Sequence, residues 1–149
     1  MFDAYSATDL AYFAGIVDGE GTVTVLSSVN PKTGTRSVSC RLMVPNTYQP
    51  LIVWLAETFG GRVSHYGKPR SEKHKQVYMW YVSAKRSVQL CELILPYLKV
   101  KRRHAEIVVA ISHLRHHYSS RGRAVSDAVS EARVPLLAEI RELNHRGVG

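Results

Sequence analysis

The sequence predicts an α+β domain in which two antiparallel hairpins, separated by helices, join into a single sheet. The expected order is an αββαββα core with one or two extra C-terminal helices behind it. Three observations carry this expectation. Alternating β-branched segments come in pairs, each pair split by a polar turn. Helix-period segments stand before, between and after those pairs. The chain has 149 residues, 45% of them hydrophobic, which suits one domain over 1–149 with a real core.

Thr8 is the expected N-cap of a first helix over Asp9–Val17, with Asp9 complementing the helix dipole. "TVTVLSS" (Thr22–Ser28) alternates as a strand should. The turn "NPKTG" leads to a second strand over Arg36–Val44, giving a hairpin with a basic tip. A helix over Gln49–Phe59 starts with Pro50 in its first turn and stops at Gly60-Gly61. Strands over Arg62–Tyr66 and Gln76–Val82 make a second hairpin with a polar, basic loop. Ser83 caps the next helix, which Pro96 should bend or break near its end. Val100–Tyr118 repeats apolar residues at Ile107, Val108, Ile111 and Leu114, and the stretch Ser119–Gly122 breaks that run. A last amphipathic helix begins at Val134.

Helices on one face of the sheet leave the other face open. Thr22, Thr24, Arg41, Arg62, Ser64, Tyr66, Tyr78 and Trp80 are expected to line it. With a net charge of +8 and a pI near 9.7, such a face suits nucleic acid. Arg36, Lys68, Arg70, Lys73 and Lys75 join Arg41 and Arg62 as candidate nucleic-acid contacts, with base readers and phosphate neutralisers not separable. No apolar run approaches a membrane span, and acidic Asp3 stands where a secretory signal would want basic residues. The expectation is an intracellular protein with no membrane partner. Cys40 and Cys91 sit in apolar patterns and read as reduced core thiols. His113, His116 and His117 lack the carboxylate partner of an HExxH site and read as a solvated face or phosphate contacts.

The stretch "FAGIVDGEG" (Phe13–Gly21) places Asp18 and Glu20 among three glycines, directly after small and apolar residues. Acids at a helix C-terminus oppose the dipole, so a purely local reason for them is poor. Ala11, Ala14 and Gly15, three and four apart, fall on one helix face and would let another backbone approach closely. If that backbone is the same helix of a second copy, a two-fold axis brings two Glu20 carboxylates together. Paired carboxylates suit magnesium, a hard cation that takes oxygen ligands.

These nine residues resemble the signature of the LAGLIDADG homing endonucleases, with Phe13 in place of the first leucine. Ala14, Gly15, Asp18 and Gly21 are identical to it, and Ile16, Val17 and Glu20 are conservative. "VPNTYQPLIVWLAETFGGRV" is similar to the family's segment between hairpins. "LPYLKVKRRHAEIV" is similar to the segment carrying its active-site lysine, and "IRELNHRG" to its C-terminal ending. Only Ser119–Arg133 matches poorly.

The resemblance implies a saddle-shaped sheet and assigns roles by position. Glu20 matches the metal-binding acid, Asp18 the acid that caps and shapes the turn and is counted with Glu20 as a metal ligand, and Gly19 a residue whose carbonyl reaches metal. Asn46 matches a polar residue near the attacking water and Lys101 the basic residue of the catalytic pocket; Pro45 departs from the pattern. One motif in the chain implies a homodimer that cuts both strands of a near-palindromic double-stranded DNA site, using magnesium, with the sheets in the major groove and short 3′ overhangs left. Splicing-maturase work on RNA, or DNA-binding regulation without cutting, is the alternative on the same fold. A helical interaction module with incidental basicity would show no steep salt dependence.

Overall fold

The computed structural model describes residues 4–34, 36–67, 71–118 and 127–146. Helix α1 (Ala7–Glu20) precedes strands β1 (Thr22–Val29) and β2 (Arg36–Asn46). Helix α2 (Gln49–Phe59), strands β3 (Arg62–Tyr66) and β4 (Val77–Tyr81) and helix α3 (Ala84–Ile94) follow. A 3-10 turn over Leu95–Tyr97 then leads to α4 (Arg102–Tyr118) and α5 (Asp127–Arg146). This is the predicted αββαββα order with two helices behind it.

Local chemistry sets the ends. Ser6, not Thr8, caps α1: its Oγ accepts the Asp9 N–H at 3.1 Å, so the helix begins at Ala7 and not at the expected Asp9. It also runs three residues past Val17. Gly21 closes it with extended backbone (φ −74°), its N–H returning to the Val17 carbonyl at 3.0 Å. The acids therefore ride on the last helical turn rather than on a glycine turn. Gly21 is needed for space, because a Cβ there would lie 2.8 Å from Val17 Cα and 2.9 Å from its carbonyl oxygen. Ser83 caps α3 by accepting from the Arg86 N–H, and Pro96 turns the chain into the 3-10 segment as expected. Helix α5 starts before the expected Val134 and carries Pro135 inside it. A proline reads as a helix-start signal, yet here it lies inside the helix with its ring exposed. The expected break at Ser119–Gly122 lies outside the described residues.

The four strands form one antiparallel sheet in the order β1-β2-β4-β3. β1 ends opposite Met43, so Pro45 has a strand neighbour on one side only, opposite Met79, and the missing N–H is tolerated. The helices cover one face. Val23, Val25, Cys40, Leu42, Val44 and Trp80 point into them and meet Phe13, Ile52, Leu55, Phe59, Leu90 and Ile107. Phe13 stacks on Phe59 at 4.3 Å and meets Trp80 edge-on at 5.5 Å. Burying one such side chain stabilises the fold by about 1.5–3 kcal/mol. Both cysteines are buried thiols, and burial pushes the Cys91 pKa up to about 12. Among the described residues no helix is long and apolar enough to cross a membrane.

Candidate active site

Two acids at the negative end of α1 would be unfavourable if left alone, and α1 has no basic residue in its own last turn. The compensation arrives from 80 residues downstream in sequence, roughly counted, on the segment released by the 3-10 turn. Asp18 accepts two backbone N–H groups there, that of Lys99 at 2.7 Å on Oδ2 and that of Lys101 at 2.9 Å on Oδ1. The Lys101 Nζ in turn donates to the carbonyls of Val17 at 2.9 Å and Asp18 at 3.1 Å. Asp18 thus clasps the Lys99–Lys101 segment to the helix, and Lys101 caps the helix end. Partial burial pulls the Lys101 pKa below its usual value, against the opposing pull of Asp18.

Glu20, exposed on the same turn, accepts a hydrogen bond from Asn46 Nδ2. The Tyr48 N–H donates to Asn46 Oδ1 at 2.7 Å, which fixes the amide so that its NH2 faces Glu20. Pro45 does not displace this residue. Glu20, Asn46, Lys101 and Asp18 are therefore gathered at one helix end, with Gly19 exposed beside them. Behind lies His104, 8% exposed, its Nδ1 without a hydrogen-bond partner; burial and then Lys101 hold its pKa below the usual value. No motif in the sequence marks it.

Both oxygens of Asp18 are turned to amides, which makes it an anchor and leaves Glu20 as the outward carboxylate. Among the described residues no group of three His, Cys, Asp or Glu side chains could hold a metal. The donors at this helix end are nevertheless of the type magnesium uses, since it binds through one or two carboxylates and keeps waters or substrate oxygens for the rest. His113 lies 3.5 Å from Glu92 on the surface, away from this cluster; the side chains of His116 and His117 lie outside the described residues.

The outer face of α1 differs from the expected one. Ala11 and Gly15 are exposed, but Ala14 is fully buried in the protomer's own core. The exposed small residues are Ala7, Ala11, Gly15 and Gly19, spaced four apart, and a Cβ at either glycine would meet nothing within 4 Å. Tyr12 flanks this stripe, edge-on to Trp54 at 5.4 Å.

The register sorts the sheet residues. Thr22, Thr24, Arg41, Arg62 and Ser64 occupy open-face positions, as predicted. Trp80 does not: it is 0% exposed, pairs with inward Val44 and Val63, and donates its indole N–H to the Gly60 carbonyl at 2.8 Å. Tyr78 shares its face, half-buried against the core and 5.2 Å from the His65 ring. The open-face residues of β4 are Val77, Met79 and Tyr81, because "VYMWYV" is apolar at every position and its alternation gives no face. Only the inward fit of the large Trp80 ring among Phe13 and the Gly60-Gly61 turn decides it. Thr24 Oγ1 accepts from Asn144 Nδ2 of α5 at 3.1 Å, which ties it to the sheet edge. Arg36 opens β2 and Tyr66 ends β3; Lys73 and Lys75 are exposed in the β3–β4 loop, and Lys68 and Arg70 lie outside the described residues.

The fold is that of the LAGLIDADG homing endonucleases. The chain is similar to the homing endonuclease I-CvuI in complex with the I-CreI target, at 21% identity and a TM-score of 0.70, over 91% of this chain and 82% of that one. The archaeal intron-encoded homing endonuclease I-Vdi141I, complexed with DNA, aligns at 14% identity and a TM-score of 0.71, over 91% and 84%. LAGLIDADG homing endonuclease I-GzeII, in complex with its DNA target, aligns at 14% and 0.68 over 88% of this chain but 44% of its own. No protein-family profile and no curated protein sequence matches this one.

Proposed function

We propose that this chain is a site-specific, magnesium-dependent DNA endonuclease that acts as a homodimer on a long near-palindromic target and breaks both strands. One observation carries the reading. The helix end that presents Glu20, Asn46 and Lys101 continues directly from an outer face of Ala7, Ala11, Gly15 and Gly19 that is open to a second copy. Pairing two such faces would bring two Glu20 carboxylates together below two open sheet faces. The similarity to I-GzeII over only 44% of that protein's length supports a working unit of two such domains.

Glu20 and the Gly19 carbonyl would hold the metal, together with the same groups of the second copy. When bound, the metal supplies Lewis acidity at the scissile phosphate and eases deprotonation of water. The chain's own residues do the positioning. Asn46 donates to Glu20 and holds the carboxylate in place. Lys101 has three ammonium donors, two of them spent on the helix carbonyls, so one remains to offset charge growing on the phosphate. Asp18 stays outside the metal shell and fixes the distance between Lys101 and Glu20.

The test is cleavage of a randomised site library with magnesium, repeated with Glu20→Gln. The expected result is double-strand breaks with wild type, none with the variant, and site binding by both in calcium. Specific binding by a monomer, or cutting that survives Glu20→Gln, refutes the reading.

A further inference from the structure

On the reading just proposed, the open face must divide its work between reading bases and neutralising phosphates, and the structure separates the two. Among strand residues whose side chains are described, Arg41 and Arg62 are the charged groups of this face. Both are exposed, and no carboxylate among the described residues pairs with either. Their neighbours are neutral. Arg41 faces Thr24 across β1, and Arg62 faces Tyr81 across β4, beside Ser64. Thr24 has its hydroxyl engaged by Asn144, and Trp80 is buried, so two of the expected polar readers are withdrawn.

A guanidinium standing on a paired strand differs physically from an ammonium on a loop. Its backbone is fixed by the sheet ladder, and its planar fork matches the O6 and N7 acceptors of guanine in the major groove. Lys73 and Lys75 sit beyond the strand ends, as point charges that suit phosphate oxygens. We infer that Arg41 and Arg62 are specificity-determining residues, each reading one guanine per half-site, whereas Lys73 and Lys75 contact phosphate. The register puts Arg41 and Arg62 two strand spacings and one two-residue step apart, about 12 Å, so both guanines fall within one half-site.

The experiment is selection of bound sequences from a randomised duplex library in calcium, using the full chain. Wild type, Arg41→Lys, Arg62→Lys and Lys73→Ala/Lys75→Ala are compared, with the salt dependence of each measured on the selected site. Lysine keeps the charge and loses the fork. The expected result is loss of guanine preference at one column per half-site for each arginine variant, about 5- to 100-fold, with other columns and the salt slope unchanged. The double lysine variant should keep every preference and bind with a shallower slope. If the arginine variants weaken all sequences alike, or if the preference maps to the lysines, the assignment is wrong. If wild type selects no sequence at all, the endonuclease reading fails before this one is reached.

Discussion

Replacing Asp18 by Asn separates an anchoring role from a metal-binding one. The wild-type carboxylate accepts the Lys99 and Lys101 amides at 2.7 and 2.9 Å, one on each oxygen. Asparagine can accept one of them, but its NH2 then faces the other N–H, donor against donor. Each hydrogen bond to a charged acceptor contributes about 1.5–3 kcal/mol, and the amide left facing a donor adds a penalty of similar size. Asp18 is half-buried and Lys99 exposed, so part of this is recovered by water. A net loss of about 2–4 kcal/mol follows, or about 5–15 °C in Tm for a domain of this size. The assay is thermal and urea unfolding of Asp18→Asn without metal or DNA. Metal affinity in the DNA complex is read alongside by calcium titration calorimetry. An Asp18 that ligated the cation would show the opposite split. Removing a negative charge near Glu20 would then leave the apo fold as stable as before and weaken calcium binding directly. An unfolding midpoint within a degree or two of wild type refutes the anchor.

Further substitutions test other parts of the fold. Gly21→Ala must push a Cβ into the Val17 backbone at 2.8–2.9 Å and should cost about 1–3 kcal/mol in unfolding experiments, the range of overpacked sites. A Cβ at Gly15 meets nothing within 4 Å in its own protomer, so with Gly15→Leu sedimentation should show lost self-association while the monomer stays at least as stable as wild type. Trp80→Ala should destabilise by about 3–5 kcal/mol, whereas Tyr81→Ala should leave stability nearly intact and weaken DNA binding. For His104, burial holds the folded pKa below 6.5, so the unfolded chain binds more protons between those two values. The stabilisation is complete above pH 6.5 and is lost as pH falls through the folded pKa. Melting temperatures at pH 7.5 and 5 should therefore diverge less for His104→Gln than for wild type; equal slopes would contradict this.

The sequence made the elements legible where periodicity and punctuation agree. The Pro50 and Gly60-Gly61 signals bound α2 at the expected residues, and the β1–β2 hairpin differs from expectation only by a few strand-end residues. Faces were legible only where a strand alternates. β1 and β2 do so, and their outward residues are the expected ones; β4 does not, and Trp80 and Tyr78 face the core and not the open side. On α1, spacing alone grouped Ala14 with Ala11 and Gly15. Which small residues face out depends on where Phe13 and Val17 point, and that is set by α3 and the sheet. The Asp18 clasp was not legible at all, because its partners are main-chain amides, and a backbone N–H carries no residue identity.

The two acids of "VDGEG" therefore have different reasons to exist. A helix C-terminus already concentrates negative potential, and adding Asp18 and Glu20 raises it further. The protein spends one acid to recruit its own compensation: Asp18 fastens the segment that delivers Lys101 to the helix carbonyls. The other acid stays outward, held by a neutral donor from Asn46 rather than by a cation. If the aim were stability alone, a lysine or arginine opposite Glu20 would be the better partner. A neutral partner orients the carboxylate without cancelling its charge, the condition under which a divalent cation can still be attracted to it. Asn46→Lys sets a cation against Glu20 and should consequently abolish calcium binding in the DNA complex, with little gain in melting temperature because the Tyr48 amide loses its acceptor. Unchanged calcium affinity in that variant would show that Glu20 is not the group whose charge is being kept free.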